Sequence, residues 1–171
     1  IVTSVGTYHL HTRPKLPTWR PKGRKDFQLL YIVAGKAHFH FNGKEEIVTA
    51  GHMVLYRPKE PQKYEYYGDD QTEAYWVHFT GGNVTNILRS YGFPDNKNIF
   101  YCGSHIEYQG IFRNMIHELQ MCKENYEQML EMYLKQIFIM LQRSFLSQLK
   151  TDNTYVIEEI DKATLYFNEP V

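Results

Sequence analysis

Cysteine is almost missing from this sequence: Cys102 and Cys122 are the only two in 171 residues. They form no C-x-x-C pair and no dense framework, which excludes a disulfide-stapled scaffold and fits reduced thiols in a cytoplasm. Long apolar runs are missing as well. No stretch approaches the roughly 20 residues of a membrane span, and no signal peptide is visible. The triplet Asn83-Val84-Thr85 is therefore read as chance rather than as a glycosylation site. Charge of one sign is not in excess. Lys plus Arg and Asp plus Glu number 19 each, so there is none of the basic field that grips a nucleic-acid backbone. Catalytic signatures are equally scarce. No G-x-S-x-G, P-loop or G-x-G-x-x-G occurs, and Gly81-Gly82 is more simply a strand-ending turn. The run "HELQM", His117 to Met121, begins like a zinc-protease helix, but Met121 stands where the second histidine belongs. The expectation is a protein without catalysis, metal or cofactor.

What is present is a large aromatic and apolar share, 15% and 43% of residues, enough to bury one sizeable core. Residues 1–25 carry Pro14, Pro17 and Pro21 among many basic residues, and read as an extended N-terminal arm with little regular structure. From 28 to 80 the period is two: "QLLYIVA", "AHFHFN", "EEIVT", "HMVLYR", "QKYEYY" and "EAYWVHFT" alternate or carry β-branched and aromatic residues. Turn signals separate them, the strongest being Asn42-Gly43, because both central residues of a type I′ turn need positive φ. Six strands so spaced imply an antiparallel sandwich or barrel. After about residue 104 the period becomes helical. Tyr108, Phe112, Met115, Leu119 and Cys122 predict one helix, and Leu130, Leu134, Ile137 and Leu141 mark a second from about 126 to 150. A polar break, "KTDNT", precedes a terminal helix at about 155–167. The absent initiator methionine and the abrupt end predict a piece of a longer protein.

The pair His38-x-His40 in "HFHFNGKEE" invites a metal reading. On a strand, however, the two histidines share one face and Phe39 and Phe41 the other. Burying each phenylalanine gains roughly 1.5 to 3 kcal/mol, whereas an unpartnered polar ring loses on entering an apolar core, so the histidines belong outside. The segment "LLYIVAGKAHFHFNGKEEIVTAGHMVLYRPKEPQKYEYY" resembles a cupin barrel, and this bears on the same point. Placed on the landmarks Gly35 and Pro58, the ligand positions of metal-binding cupins fall on Pro21, Gly23, Gln28 and Lys63, which together cannot coordinate zinc or iron.

A second set is more suggestive. Tyr64 and Tyr66 share one strand face, as do Trp76 and His78. Pointing inward, they form a cavity with a flat indole wall and hydrogen-bonding tips, the composition of a sugar site. Equally, they fill a small barrel with their tips bonded to backbone or water.

The stretch from "GRKDFQLLYIVAGK" through "EAYWVHFTG", the two helices after it and the terminal "VIEEIDKATLYFNEPV" together resemble the N-terminal effector-binding and dimerisation domain of AraC-family transcriptional regulators. That resemblance covers nearly the whole chain, and "YWVHFTG" is its most specific piece. It implies a mainly β fold: a cupin-like antiparallel β-barrel (jelly roll) over 26–103, followed by a two-helix dimerisation hairpin over 104–150. Residues 151–171 would be a linker and the first helix of a truncated DNA-binding domain, and operator DNA would be a partner only through the absent remainder. In the arabinose-responsive member a stacking tryptophan matches Trp76 and a tyrosine matches Tyr64. Its sugar-holding arginine and pocket histidine match Ala34 and Ala74, so two polar contacts are replaced by volume that would suit a larger glycoside. Arg24 and Arg57 are candidate replacements for the guanidinium. The implied partners are a carbohydrate effector and a second copy joined along Leu130, Leu134, Ile137 and Leu141, with the arm closing over the ligand. The alternative function is a stand-alone cupin enzyme, a sugar isomerase or dioxygenase.

Overall fold

A computed structural model describes residues 1–167. Within them the chain order is β1 (Val2–His9), β2 (Lys15–Arg20), β3 (Phe27–Ala34), β4 (Lys36–Phe41), β5 (Lys44–Thr49), β6 (His52–Tyr56), β7 (Gln62–Tyr67), a 3-10 turn (Gly68–Asp70), β8 (Glu73–Phe79), α1 (Val84–Ser90), β9 (Ile99–Tyr101), α2 (Ile106–Met121) and α3 (Tyr126–Phe167). The strands form a five-stranded sheet, β1-β8-β3-β6-β9, and a four-stranded sheet, β2-β7-β4-β5. Every pairing is antiparallel. This is the expected cupin-like fold with C-terminal helices.

Side-chain alternation gives the larger sheet two buried faces. Leu30, Ile32, Val54, Tyr56 and Ala74 turn toward the smaller sheet and meet Phe39, Tyr64, Tyr66 and Val48 inside the barrel. Their neighbours Leu29, Tyr31, Met53, Leu55, Tyr75 and Val77 turn the other way and bury against α2 and α3. The β4–β5 hairpin turns at Asn42 and Gly43 with φ of 52° and 75°, the backbone of a type I′ turn. It sets Phe39 fully inside and leaves His38 outside, where its ring nitrogens lie 2.8 Å from Glu45 Oε1 and 3.0 Å from Asp70 Oδ2.

Three expectations need correction. Residues 1–25 are not an irregular arm, because β1 pairs with β8 from Val2–Phe79 to His9–Glu73, and β2 pairs with β7 from Lys15–Tyr67 to Arg20–Gln62. Both are edge strands, and an edge tolerates Pro17 because one side of it needs no N–H donor. α1 and β9 are two further elements, in a stretch for which the periodicity made no prediction. The "KTDNT" break is absent, since α3 runs through it: the Thr151 and Thr154 hydroxyls donate to the carbonyls of Ser147 and Lys150 one turn back, so these polar side chains bond within the helix. Finally, Leu130, Leu134, Ile137 and Leu141 are buried within the single chain, between α2 and the sheet, and present nothing to a second copy. Among the described residues no helix is long and apolar enough to cross a membrane. Residues 168–171 of the expected 151–171 segment lie outside the described residues.

Candidate ligand-binding site

Strand register sorts the inward side chains into three rungs along the barrel. At the far end Tyr8, Ala74 and Ile32 lie in line on one sheet, and Leu16–Tyr66 and Ala37–Val48 are pairs on the other. In the middle, Gly6, Trp76, Leu30 and Val54 form one row, with Thr18, Tyr64 and Phe39 on the facing sheet. At the near end the row is Ser4, His78, Gln28 and Tyr56, and the facing pair is Arg20–Gln62. The interior thus passes from largely apolar at one end to mainly polar at the other, where Phe41 packs on Tyr56 as an apolar neighbour.

The polar rung is only partly satisfied by the protein. Ser4 Oγ lies 2.8 Å from His78 Nδ1, Arg20 Nη1 donates to Gln62 Oε1 at 2.8 Å, and Gln28 Nε2 donates weakly to Tyr64 Oη at 3.4 Å. Gln28 Oε1, Tyr56 Oη, Gln62 Nε2 and His78 Nε2 are buried with no hydrogen-bond partner among the described residues, as are Trp76 Nε1 and Tyr66 Oη deeper in. Each such orphan costs about 1–3 kcal/mol. Four of them, two oxygens and two nitrogens, fall on this one rung.

Electrostatics keeps these tips neutral. Burial, aided by the positive charges of Arg24 and Arg20, pushes the His78 imidazole down to about 4, against the smaller opposing pull of Asp26. Burial likewise raises the Tyr56 and Tyr66 hydroxyls, each further raised by the neighbouring Tyr64. At neutral pH the tips therefore offer hydroxyls, amides and a neutral imidazole, groups that both donate and accept. Outside the rung a cleft of about 630 Å³ is lined by Thr3, Ser4, Arg20, Arg24, Lys25 and Asp26, among others. Arg24 grips Asp26 with Nε and Nη2 at 2.6 and 3.0 Å. Burial alone would raise the Asp26 carboxyl, but the guanidinium more than offsets it and holds it below its ordinary value.

Of the residues singled out in the sequence, Tyr64, Tyr66, Ala74, Trp76 and His78 lie on the inward face, and Arg24 stands at the cleft. Arg57 is elsewhere: its guanidinium donates to the carbonyls of Pro94 and Lys97 and fastens the loop before β9, so it is not free to hold a ligand. Ala34 is half-buried past a shift in the β3–β8 register, outside the packed interior, and Ala74 is fully buried at the apolar end. Neither alanine lines the cleft, so the room expected from them does not enlarge it. Not singled out in the sequence as effector-facing were Ser4, Arg20, Gln28, Tyr56 and Gln62. Period two could have found two of them, since Gln28 shares a face with Leu30 and Gln62 with Tyr64.

The family described as "AraC-like ligand binding domain" matches residues 4–141. No curated protein sequence matches the chain. Among solved structures, an apo ToxT variant from Vibrio cholerae is 17% identical, with a TM-score of 0.52 over 86% of this chain and 55% of its own. ToxT bound to (E)-4-(8-methylnaphthalen-1-yl)but-3-enoic acid is 12% identical, with a TM-score of 0.52 over 87% and 57%. A cupin protein from Bacteroides fragilis is 17% identical, with a TM-score of 0.39 over 46% and 65%. The chain thus spans little more than half the length of the ToxT chains that it resembles.

Proposed function

Because the chain belongs to the AraC-like ligand-binding domain family, we propose that it is the effector-sensing domain of a bacterial transcription regulator. A small molecule would bind at the polar rung and control how a DNA-binding domain outside this chain is presented. The observation that carries this reading is the set of four buried, unpartnered polar atoms on Gln28, Tyr56, Gln62 and His78, one rung from the Trp76 indole. A ligand that satisfies them in one arrangement of the N-terminal strands and not in another shifts the population between the two. Such a domain works by binding, and a regulatory role without catalysis is our reading.

For the ligand we propose a carbohydrate or similarly polyhydroxylated compound: an aromatic face beside several neutral donor–acceptor tips suits a pyranose. ToxT structures are described as bound to an unsaturated fatty acid and to a naphthyl butenoic acid, so that protein takes carboxylic acids, and the test must include them. Calorimetry over a panel of neutral sugars, sugar acids and fatty acids is that test. Binding of a polyhydroxylated compound, lost in Gln28→Leu and His78→Phe, is the expected result. Binding confined to fatty acids would remove the carbohydrate, and no binding at all would remove the sensing role.

We also propose that the chain forms a homodimer, through a surface other than the buried stripe. Met132, Ile139, Leu146, Leu149 and Val156 are exposed on α3, at heptad a and d spacing, with Asn153 at an a position of the kind that fixes register between two helices. Sedimentation of the wild type against Leu146→Glu reads this directly.

A further inference from the structure

Four charged side chains line the cleft at the polar end: Arg20, Arg24, Lys25 and Asp26. Asp26 is already taken, held by both nitrogens of the Arg24 fork. Arg20 donates once, to Gln62 Oε1, and neither it nor Lys25 has a carboxylate partner among the described residues. The cleft therefore holds two uncompensated positive charges in a chain whose formal charge is zero. Thr3, Ser4 and Thr80 add hydroxyls to the same lining.

We infer that the effector carries an anionic group, a carboxylate or a phosphate, which Arg20 and Lys25 take at the mouth while the polar rung takes the rest. This rests on the sensing role proposed above. The geometry suits it in two ways. Gln62, itself fully buried, fixes one edge of the Arg20 guanidinium and leaves the other N–H donors of that planar fork for a carboxylate or phosphate edge. Behind it, the rung's neutral amides and hydroxyls bring no second anion to compete, since the Asp26 charge is spent on Arg24. A neutral ligand would use the rung and leave both cations idle. An anionic one uses both, and the field of the mouth would also speed its arrival.

The test uses matched pairs on the whole chain, read by calorimetry and by the emission of Trp76 in a Trp19→Phe background. The probes are glucose against glucuronate, glycerol against glycerol phosphate, and octanol against octanoate. At least one acid should bind tenfold or more above its neutral partner. Arg20→Gln should then weaken that acid by roughly ten- to hundredfold, the usual worth of a charge-assisted contact. Lys25→Gln, on an exposed side chain that can be changed without disturbing the fold, should weaken it in the same direction, as should added salt. A neutral compound binding as tightly as its acid, or acid affinity untouched in both variants, overturns the anionic group. The Trp76 response to the neutral compound would in that case leave the sensing role standing. If no probe of either kind changes heat or emission, both fall together.

Discussion

The indole of Trp76 lies across Gly6 on the adjacent strand, so close that a methyl group at Gly6 would stand 2.4 Å from Cζ2 of the ring. Glycine here is a matter of space, because the β1 backbone is ordinary strand and only the missing side chain lets the ring lie flat. Gly6→Ala should therefore tilt or displace the indole at a cost of about 1–3 kcal/mol. Urea denaturation measures the cost, and Trp76 emission in a Trp19→Phe background reports the ring. Unchanged values in both would mean that the ring accommodates the methyl without moving.

Stability should depend on pH through His78. Its folded-state value, pushed down to about 4, lies below the ordinary histidine value of 6.5, so between these the unfolded chain binds more protons than the folded one. Stability is fully present above about pH 6.5 and falls as the pH drops toward 4. Allowing for solvent screening at the mouth, the loss is about 1–2 kcal/mol. Denaturation midpoints at pH 7 and pH 5 should differ in that direction, and His78→Gln should flatten the difference. A slope that survives in His78→Gln belongs to other groups.

On α3 the two apolar faces should separate cleanly. Ile137 is fully buried within the chain, and Ile137→Ala should cost about 2–5 kcal/mol as a core truncation. Leu146 is 54% exposed, and Leu146→Glu should leave the denaturation midpoint of dilute protein within about 0.5 kcal/mol of wild type while abolishing self-association. Loss of the dimer in Ile137→Ala at conditions where it stays folded would point back to the buried stripe.

The contrast on α3 shows where a sequence stops being legible. Periodicity correctly marks Leu130, Leu134, Ile137 and Leu141 as a buried face, but says nothing of what buries it, and here the answer is the chain's own sheet and α2. Strands β3 to β8 were readable because each is bounded by local turn chemistry such as Asn42-Gly43. β1 was not, because its partner β8 lies far along the chain, Val2 pairing with Phe79, and nothing local signals that ladder. The site divides in the same way. Trp76 and Tyr64 stand out by residue type, whereas Gln28 and Gln62 are ordinary polar residues until register sets them on one rung with His78 and Arg20. A polar side chain on an inward face is a local inconsistency, and such inconsistencies gather at functional sites.

That reasoning yields a trade-off between stability and binding at Gln28. Its side chain is buried, its Oε1 has no partner among the described residues, and its Nε2 makes only a 3.4 Å contact to Tyr64 Oη. Replacing the amide by an apolar side chain of similar size removes the orphan acceptor and adds packing against Leu30 and Tyr56, which flank it in the strand and across it. The hydroxyl of Tyr64 loses only a weak bond. Gln28→Leu should therefore leave the ligand-free protein as stable as wild type or more stable, by up to about 1 kcal/mol. The same change deletes an acceptor from the rung and should weaken effector binding by roughly tenfold or more. Denaturation and calorimetry on one preparation measure the two effects together. A substitution that destabilised the free chain by 2 kcal/mol or more would make Gln28 a structural residue, and the rung would then lose its first ligand-facing member.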